Sequence, residues 1–176
     1  MNIAKERSAI DKALDDYRAK LDTISDELFT KNPEDGGWSY AEVYSHILKA
    51  TLGSSIALER CTHSNCEPTK KGLTLLGCYM MLMGSFPPVR VKMSEALAAK
   101  MPAEKISKED ARNLIVKCRK RIDDTAPLIK DSSPNFRSKH PRLGMLTAGQ
   151  WFKFIRIHLY HHLKQLGRIE NKFPAM

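Results

Sequence analysis

The stretch Trp151-Phe-Lys-Phe-Ile-Arg-Ile-His158-Leu-Tyr-His161-His162-Leu-Lys-Gln165 has the period of a helix with one buried face. Such a face takes a residue every three or four positions, and the residues with this spacing are Trp151, Ile155, His158, His162, Gln165 and Ile169. His158 and His162 therefore lie about 40° apart around the axis, with Cβ atoms about 6 Å apart. Burying two imidazoles is costly unless something compensates. The pattern predicts either a pair of metal ligands or a polar patch hydrogen-bonded to Gln165, Tyr17 or water.

A third histidine lies on the predicted core face of a second helix. Ser39 is a favourable N-cap, and Glu42, three residues later, completes a capping box. The inward stripe predicted for this helix is Val43, His46, Ala50, Gly53 and Ala57, with Ile47, Thr51 and Leu58 beside it. The small residues of the stripe would leave room beside His46. Three imidazoles from two helices would suit a borderline divalent ion such as Zn²⁺. We therefore predict a metal site formed by His46, His158 and His162.

His161 is predicted to flank this site rather than to join it. Adjacent positions on a helix are about 100° apart, so one helix does not aim His161 and His162 at the same point. Gln165, one turn after His162, is predicted either to hydrogen-bond a ligand or a metal-bound group, or to serve as a helix-packing amide.

Three segments together resemble a known family. They are Trp38-Ser39 with Glu42 and His46, His140-Pro-Arg-Leu-Gly144 continuing to Trp151, and His158-Leu-Tyr-His161-His162-Leu-Lys-Gln165. They are similar to the DinB-like (YfiT-like) metalloenzyme superfamily, and within it to a branch with an HxxHHxxQ run in the C-terminal helix. The resemblance implies a four-helix bundle in which His46, His158 and His162 bind a divalent metal ion. We expect Zn²⁺ or Ni²⁺, with Fe²⁺ or Mn²⁺ as alternatives.

The remaining periodicity predicts an all-α fold. A first helix is expected over residues 2–29 and a third long helix from Ser107, and Thr147 with Gln150 should cap the last one. A long connection, residues 64–105, separates the second and third long helices, and no segment shows strand-like alternation. The sequence therefore predicts one domain, residues 1–176, with the bundle topology of the DinB-like type.

The long connection contains an apolar segment, Leu73 to Met83, that we expect to pack over the bundle. A short helical piece is predicted near Ser94–Lys100. The range Leu73–Val91 is large enough to cover one end of the bundle, so we expect it to form the pocket mouth. Its methionines, which would fill gaps in the core or line a pocket wall, are Met80, Met81 and Met83.

Composition restricts the partners. The net charge is +9, but the basic residues are dispersed and no nucleic-acid-binding motif is present, so we expect no nucleic-acid partner. No apolar run is long enough to span a membrane. The four cysteines, Cys61, Cys66, Cys78 and Cys118, form no recognised motif, and Cys61, His63 and Cys66 lack a fourth ligand. Reduced thiols in a cytoplasmic protein are the expectation, and a homodimer is compatible with it.

The reaction is predicted from the site and the resemblance together. No Asp or Glu falls in either histidine stripe, which disfavours a hydrolase that needs a carboxylate base and favours thiol activation or carbonyl polarisation. Characterised DinB-like proteins include thiol-dependent S-transferases and an isomerase that uses a low-molecular-weight thiol. We therefore expect a small-molecule substrate, with an anionic thiol as the leading candidate for S-transferase chemistry. The alternatives are a metal-dependent hydrolase and a non-catalytic, stress-linked metal-binding or interaction protein.

Overall fold

The computed structural model describes residues 1–88 and 104–173. In this part of the chain, four long helices form a bundle, as the periodicity predicted: α1 (Ile3–Thr23), α3 (Tyr40–Thr62), α5 (Lys108–Thr125) and α6 (Ala148–Glu170). Two short helices, α2 (Asp26–Thr30) and α4 (Leu75–Met83), and a 3-10 turn (Ala126–Ile129) complete the helical elements of the described residues. A small hairpin pairs β1 (Ser138–His140) with β2 (Gly144–Leu146).

The two helices that carry the histidines begin where the capping boxes predicted. At α3, the Glu42 amide donates to Ser39 Oγ over 3.3 Å, and the Ser39 amide donates to Glu42 Oε2 over 2.7 Å. At α6, Gln150 and Thr147 form the corresponding pair at 3.3 and 3.0 Å. These reciprocal bonds satisfy amides that the first turn leaves unpaired. They fix the residue at which each helix starts, and therefore the position of each histidine along its helix axis.

The first helix is shorter than predicted. The expected helix over residues 2–29 is interrupted at Ile24, whose backbone is extended (φ −88°, ψ 131°), and α2 starts afresh after Ser25. The Ser25 hydroxyl accepts from the Leu28 amide over 3.2 Å, so it caps a new helix and does not continue the old one. Because the apolar spacing runs through the break, with Leu21 and Ile24 both buried, periodicity did not reveal it.

The buried face of α3 is also displaced from the prediction. Val43 is buried, but Ala50 and Ala57 are half-buried and Gly53 is exposed. The residues of α3 that pack into the core lie mostly beside the predicted stripe, and they include Tyr44, Ile47, Leu48, Thr51, Ser54, Ser55 and Leu58. The reason is that α3 packs against both α5 and α6, which turns its broad apolar face inward. His46 consequently lies at the margin of the core, with the small residues towards the outside.

The hairpin corrects the prediction of a chain without strands. Its register pairs Ser138 with Leu146 and His140 with Gly144. Strands of three residues are too short for an alternating pattern to be visible. Gly144 makes the turn, since its φ of +89° and a backbone oxygen 2.6 Å from where a Cβ would lie exclude other residues.

The long connection docks on the hairpin and on α6. The Thr74 amide donates to Leu143 O over 2.9 Å, and Lys153 on α6 donates to Met81 O over 2.7 Å. The apolar segment therefore packs over the bundle as predicted, and Met80 is fully buried. Met81 is half-buried, whereas Met83 is 59% exposed and does not fill the core.

Two sequence predictions fall partly or wholly outside the described residues. They are the helical piece near Ser94–Lys100 and the end of the Leu73–Val91 range. Within residues 1–88 and 104–173, no helix combines the length and the apolar character needed to cross a bilayer.

Candidate metal centre

Three histidines from two helices converge at the margin of the core. His46 comes from α3, and His158 and His162 come from α6. One ligand nitrogen from each lies within 4.8 Å of the other two, and no other group of three or more potential metal-binding side chains is found in the described part of the chain. The Nε2 atoms of His158 and His162 are 3.0 Å apart. The structure thus brings together the three residues that the sequence singled out.

The donor set fits a divalent ion. Metal–nitrogen bonds of about 2.0–2.1 Å place two ligand nitrogens roughly 3 Å apart around one ion, and the observed 3.0 Å between His158 and His162 matches this spacing. The ring centroid of His46 lies 5.4 Å from that of His158 and 4.8 Å from that of His162. Three imidazoles suit Zn²⁺, Ni²⁺ or Fe²⁺ better than ions that prefer oxygen ligands.

The environment keeps all three imidazoles neutral. Burial, and then the neighbouring His46 and His161, lower the pKa of His162 to about 3, while the Gln165 hydrogen bond opposes the shift. The pKa of His158 is held well below its usual value by burial and then by His162. Burial also lowers the pKa of His46. At neutral pH each ring therefore has a lone pair, which a metal ligand requires.

Gln165 selects the tautomer of His162. Its Oε1 lies 2.7 Å from His162 Nδ1. An amide oxygen only accepts, so Nδ1 carries the proton and donates, which leaves the lone pair on Nε2. Nε2 is the atom that faces His158. This is the usual way in which an outer hydrogen bond orients a histidine towards a metal.

The chain matches a known protein family over most of its length. A family model described as the DinB superfamily matches residues 9–166.

The chain belongs to the DinB superfamily.

Two solved structures show the same fold at low sequence identity. One is TT2238, a four-helix bundle protein, with a TM-score of 0.62 and 15% identity, covering 95% of this chain and 99% of that one. The other is YfiT from Bacillus subtilis, described as a probable metal-dependent hydrolase with an unusual four-helix bundle topology. Its TM-score is 0.61 at 13% identity, covering 97% of this chain and 86% of YfiT. No curated protein is significantly similar in sequence.

His161 of this DinB protein lies beside the triad and outside it. Its ring is perpendicular to that of His162, with centroids 5.0 Å apart, and it packs against Phe86 at 4.2 Å. His161 does not belong to the group of converging ligand nitrogens, in keeping with the 100° between adjacent helical positions.

Aromatic rings surround the triad, and sequence reasoning did not assign most of them to the site. Trp38 packs on His46 with centroids 5.2 Å apart, and Phe154 stacks on His158 at 5.1 Å. Phe86, from the long connection, lies 5.9 Å from His158. Phe154 precedes His158 by one helical turn, so spacing could have identified it. Phe86 carried no such signal because it comes from a segment without a regular period.

A fifth histidine of this DinB protein, His140, lies behind Phe154. His140 Nδ1 accepts from the amides of Arg142 and Leu143, both at 3.2 Å, so its proton is on Nε2. The His140 ring lies 4.7 Å from Phe154 and 5.4 Å from Trp151. Burial, and then the charge of Arg142, lower the pKa of His140 to about 4. The ring is therefore a neutral N–H donor close to the triad.

Proposed function

We propose that this DinB superfamily protein is a metal-dependent enzyme that binds one divalent ion through His46, His158 and His162. The observation that carries the proposal is the convergence of three neutral imidazoles, each held by a different constraint: a capped helix, an aromatic stack and the Gln165 hydrogen bond. Three protein ligands leave coordination positions open for a substrate, as in catalytic sites. Zn²⁺ or Ni²⁺ are the preferred ions, and Fe²⁺ or Mn²⁺ the alternatives.

A bound divalent ion would lower the pKa of a coordinated thiol or water molecule and so supply a nucleophile at neutral pH. The protein's own residues provide the surroundings for that step. Phe86, Phe154 and Trp38 flank the imidazoles and limit access of bulk water. His46 and His158 are half-buried whereas His162 is buried, so a small molecule can approach the site from the side of His46 and His158.

Transfer of a low-molecular-weight thiol to an electrophile is the reaction we favour. No carboxylate belongs to the triad in the described residues, so the chain offers no acidic side chain there as a proton acceptor. A free thiol has a pKa of about 8.5, whereas that of bulk water is 15.7. Activating a thiol therefore demands much less of such a site than activating water. The net charge of +9 favours an anionic thiol through long-range attraction.

Hydrolysis is the second candidate, because the structurally similar YfiT is described as a probable metal-dependent hydrolase. In this chain the proton from water would need an acceptor, and the group beside the triad is His161. Burial, and then Arg168 and Lys164, lower the pKa of His161, which makes it a weak base. This supports thiol transfer over hydrolysis.

The experiment compares both reactions in the same protein. Metal-loaded protein is mixed with an alkylating electrophile, monobromobimane, and each of several physiological thiols. In parallel it is mixed with p-nitrophenyl esters without thiol. We expect metal-dependent acceleration of the thiol reaction that is lost in His158→Ala and kept in His63→Ala, since His63 is exposed and outside the triad. Ester cleavage with the same dependence, without thiol transfer, would favour hydrolysis. Bound metal with neither activity would leave the non-catalytic alternative.

A further inference from the structure

Two cysteines lie together at the end of α3, away from any role proposed above. Cys61 is in the last turn of the helix, and Cys66 follows a turn in which Ser64 has a φ of +57°. The Asn65 amide donates to Arg60 O over 2.8 Å and so closes this turn on the helix. The two Sγ atoms are 4.0 Å apart.

The two thiols differ in exposure. Cys61 is fully buried, and its Sγ also lies 3.7 Å from Leu146 O. Cys66 is half-buried and therefore accessible to a small reagent. Burial, and then the neighbouring Cys66, raise the pKa of the Cys61 thiol. We therefore expect the Cys66 thiolate to react first in thiol–disulfide exchange and the Cys61 thiol to react second.

We propose that Cys61 and Cys66 form a reversible disulfide by exchange with an oxidised low-molecular-weight thiol, RSSR. The Cys66 thiolate attacks one sulfur of RSSR, the S–S bond of RSSR breaks, and RS⁻ leaves. Cys61 then loses its proton to solvent and attacks Cys66 Sγ, which expels the second RS⁻. One RSSR is reduced to two thiols and the protein dithiol is oxidised to a disulfide, so electrons balance.

The geometry requires only a local change. A disulfide bond is about 2.05 Å long, so the two sulfurs must approach from 4.0 Å, and the closed turn already holds their backbones together. Only four residues separate the cysteines, and so short a loop contributes little stabilisation on closure. His46 lies fifteen residues before Cys61 on α3, about 22 Å away along the helix axis. Metal binding at the triad is therefore expected to be unaffected, which separates this proposal from the proposed function.

The test uses the full chain in a Cys78→Ser background, because Cys78 is exposed and would react by itself, whereas Cys118 is buried. The reagent is 5,5′-dithiobis(2-nitrobenzoate), whose released thiolate is coloured. We expect two thiolates released per chain and a loss of about 2 Da, the mass of two hydrogen atoms. The loss should fall in the single tryptic peptide 61–70, which contains both cysteines, and dithiothreitol should reverse it.

Variants assign the order of attack. With the same reagent, Cys61→Ala should release one thiolate per chain and retain the nitrobenzoate adduct on Cys66. Cys66→Ser should react with the reagent far more slowly than Cys61→Ala. A stable adduct on Cys66 while Cys61 is present would refute the proposal. Equal rates of reaction of Cys61→Ala and Cys66→Ser with the reagent would also refute it. The measurement on the chain that keeps both cysteines decides the question even if Cys61→Ala folds poorly.

Discussion

Replacing Gln165 by Leu should weaken metal binding without touching a ligand. Gln165 Oε1 accepts from His162 Nδ1 at 2.7 Å, and leucine has a similar size but no acceptor. Without that acceptor, His162 is free to move its proton to Nε2, the atom that faces His158. Loss of an outer hydrogen bond to a ligating histidine typically costs 10–100-fold in affinity, which is about 1.4–2.7 kcal/mol.

The assay is competition for Zn²⁺ against a chromophoric chelator, with Co²⁺ titration as a second measurement. Gln165→Glu is the informative partner variant, because a carboxylate still accepts from Nδ1 and makes the imidazole more basic. We expect its affinity to equal or exceed that of the unmodified protein. Lys164→Ala, an exposed change on the same helix, should have no effect. If Gln165→Leu binds as tightly as the unmodified protein, Gln165 is only a packing amide. If Gln165→Glu weakens binding as much as Gln165→Leu, the tautomer argument is wrong.

Three further predictions follow from individual contacts. His161→Ala should keep metal affinity within roughly tenfold, and a loss as large as that of His158→Ala would show that the ligands are wrongly assigned. His140→Asn keeps an acceptor for the turn amides but removes an imidazole whose pKa is about 4 in the folded protein and 6.5 in the unfolded chain. In the unmodified protein the unfolded chain therefore binds one more proton than the folded protein as the pH falls from 7 to 4, which lowers the free energy of unfolding. That loss should be about 3 kcal/mol smaller in His140→Asn, and urea unfolding at each pH measures it. Gly77→Ala would place a Cβ 2.5 Å from Leu143 O, so the thermal midpoint should drop relative to Gly53→Ala, where nothing lies within 4 Å.

The histidine positions could be predicted because each satisfied a helical period that the fold also obeys. His158 and His162 lie where an apolar residue is expected, and the Ser39 capping box gave the correct start for the helix that carries His46. Their convergence is observed, whereas metal ligation stays a prediction. How deeply His46 is buried was harder to predict, because two adjacent rows of residues on α3 have similar spacing. Only packing against α5 and α6 decides which row is buried.

Features without a period could not be predicted in this way. The break at Ile24 is set by a competing cap at Ser25, which the uninterrupted apolar pattern conceals. The hairpin depends on Gly144 meeting the backbone of the long connection, a contact distant in sequence. Phe86 likewise lies against His158 because two segments that are distant in sequence pack together. Each of these features is determined by tertiary contact more than by local sequence.

The central claim is that His46, His158 and His162 hold one divalent ion, and metal stoichiometry tests it most directly. The protein is refolded with Zn²⁺, freed of excess ion and analysed for metal per chain, and the Co²⁺ form is examined for the absorption bands of nitrogen ligation. We predict one ion per chain in the unmodified protein and in His63→Ala, and loss of that ion in His158→Ala. Equal metal content in His158→Ala and the unmodified protein would contradict the assignment.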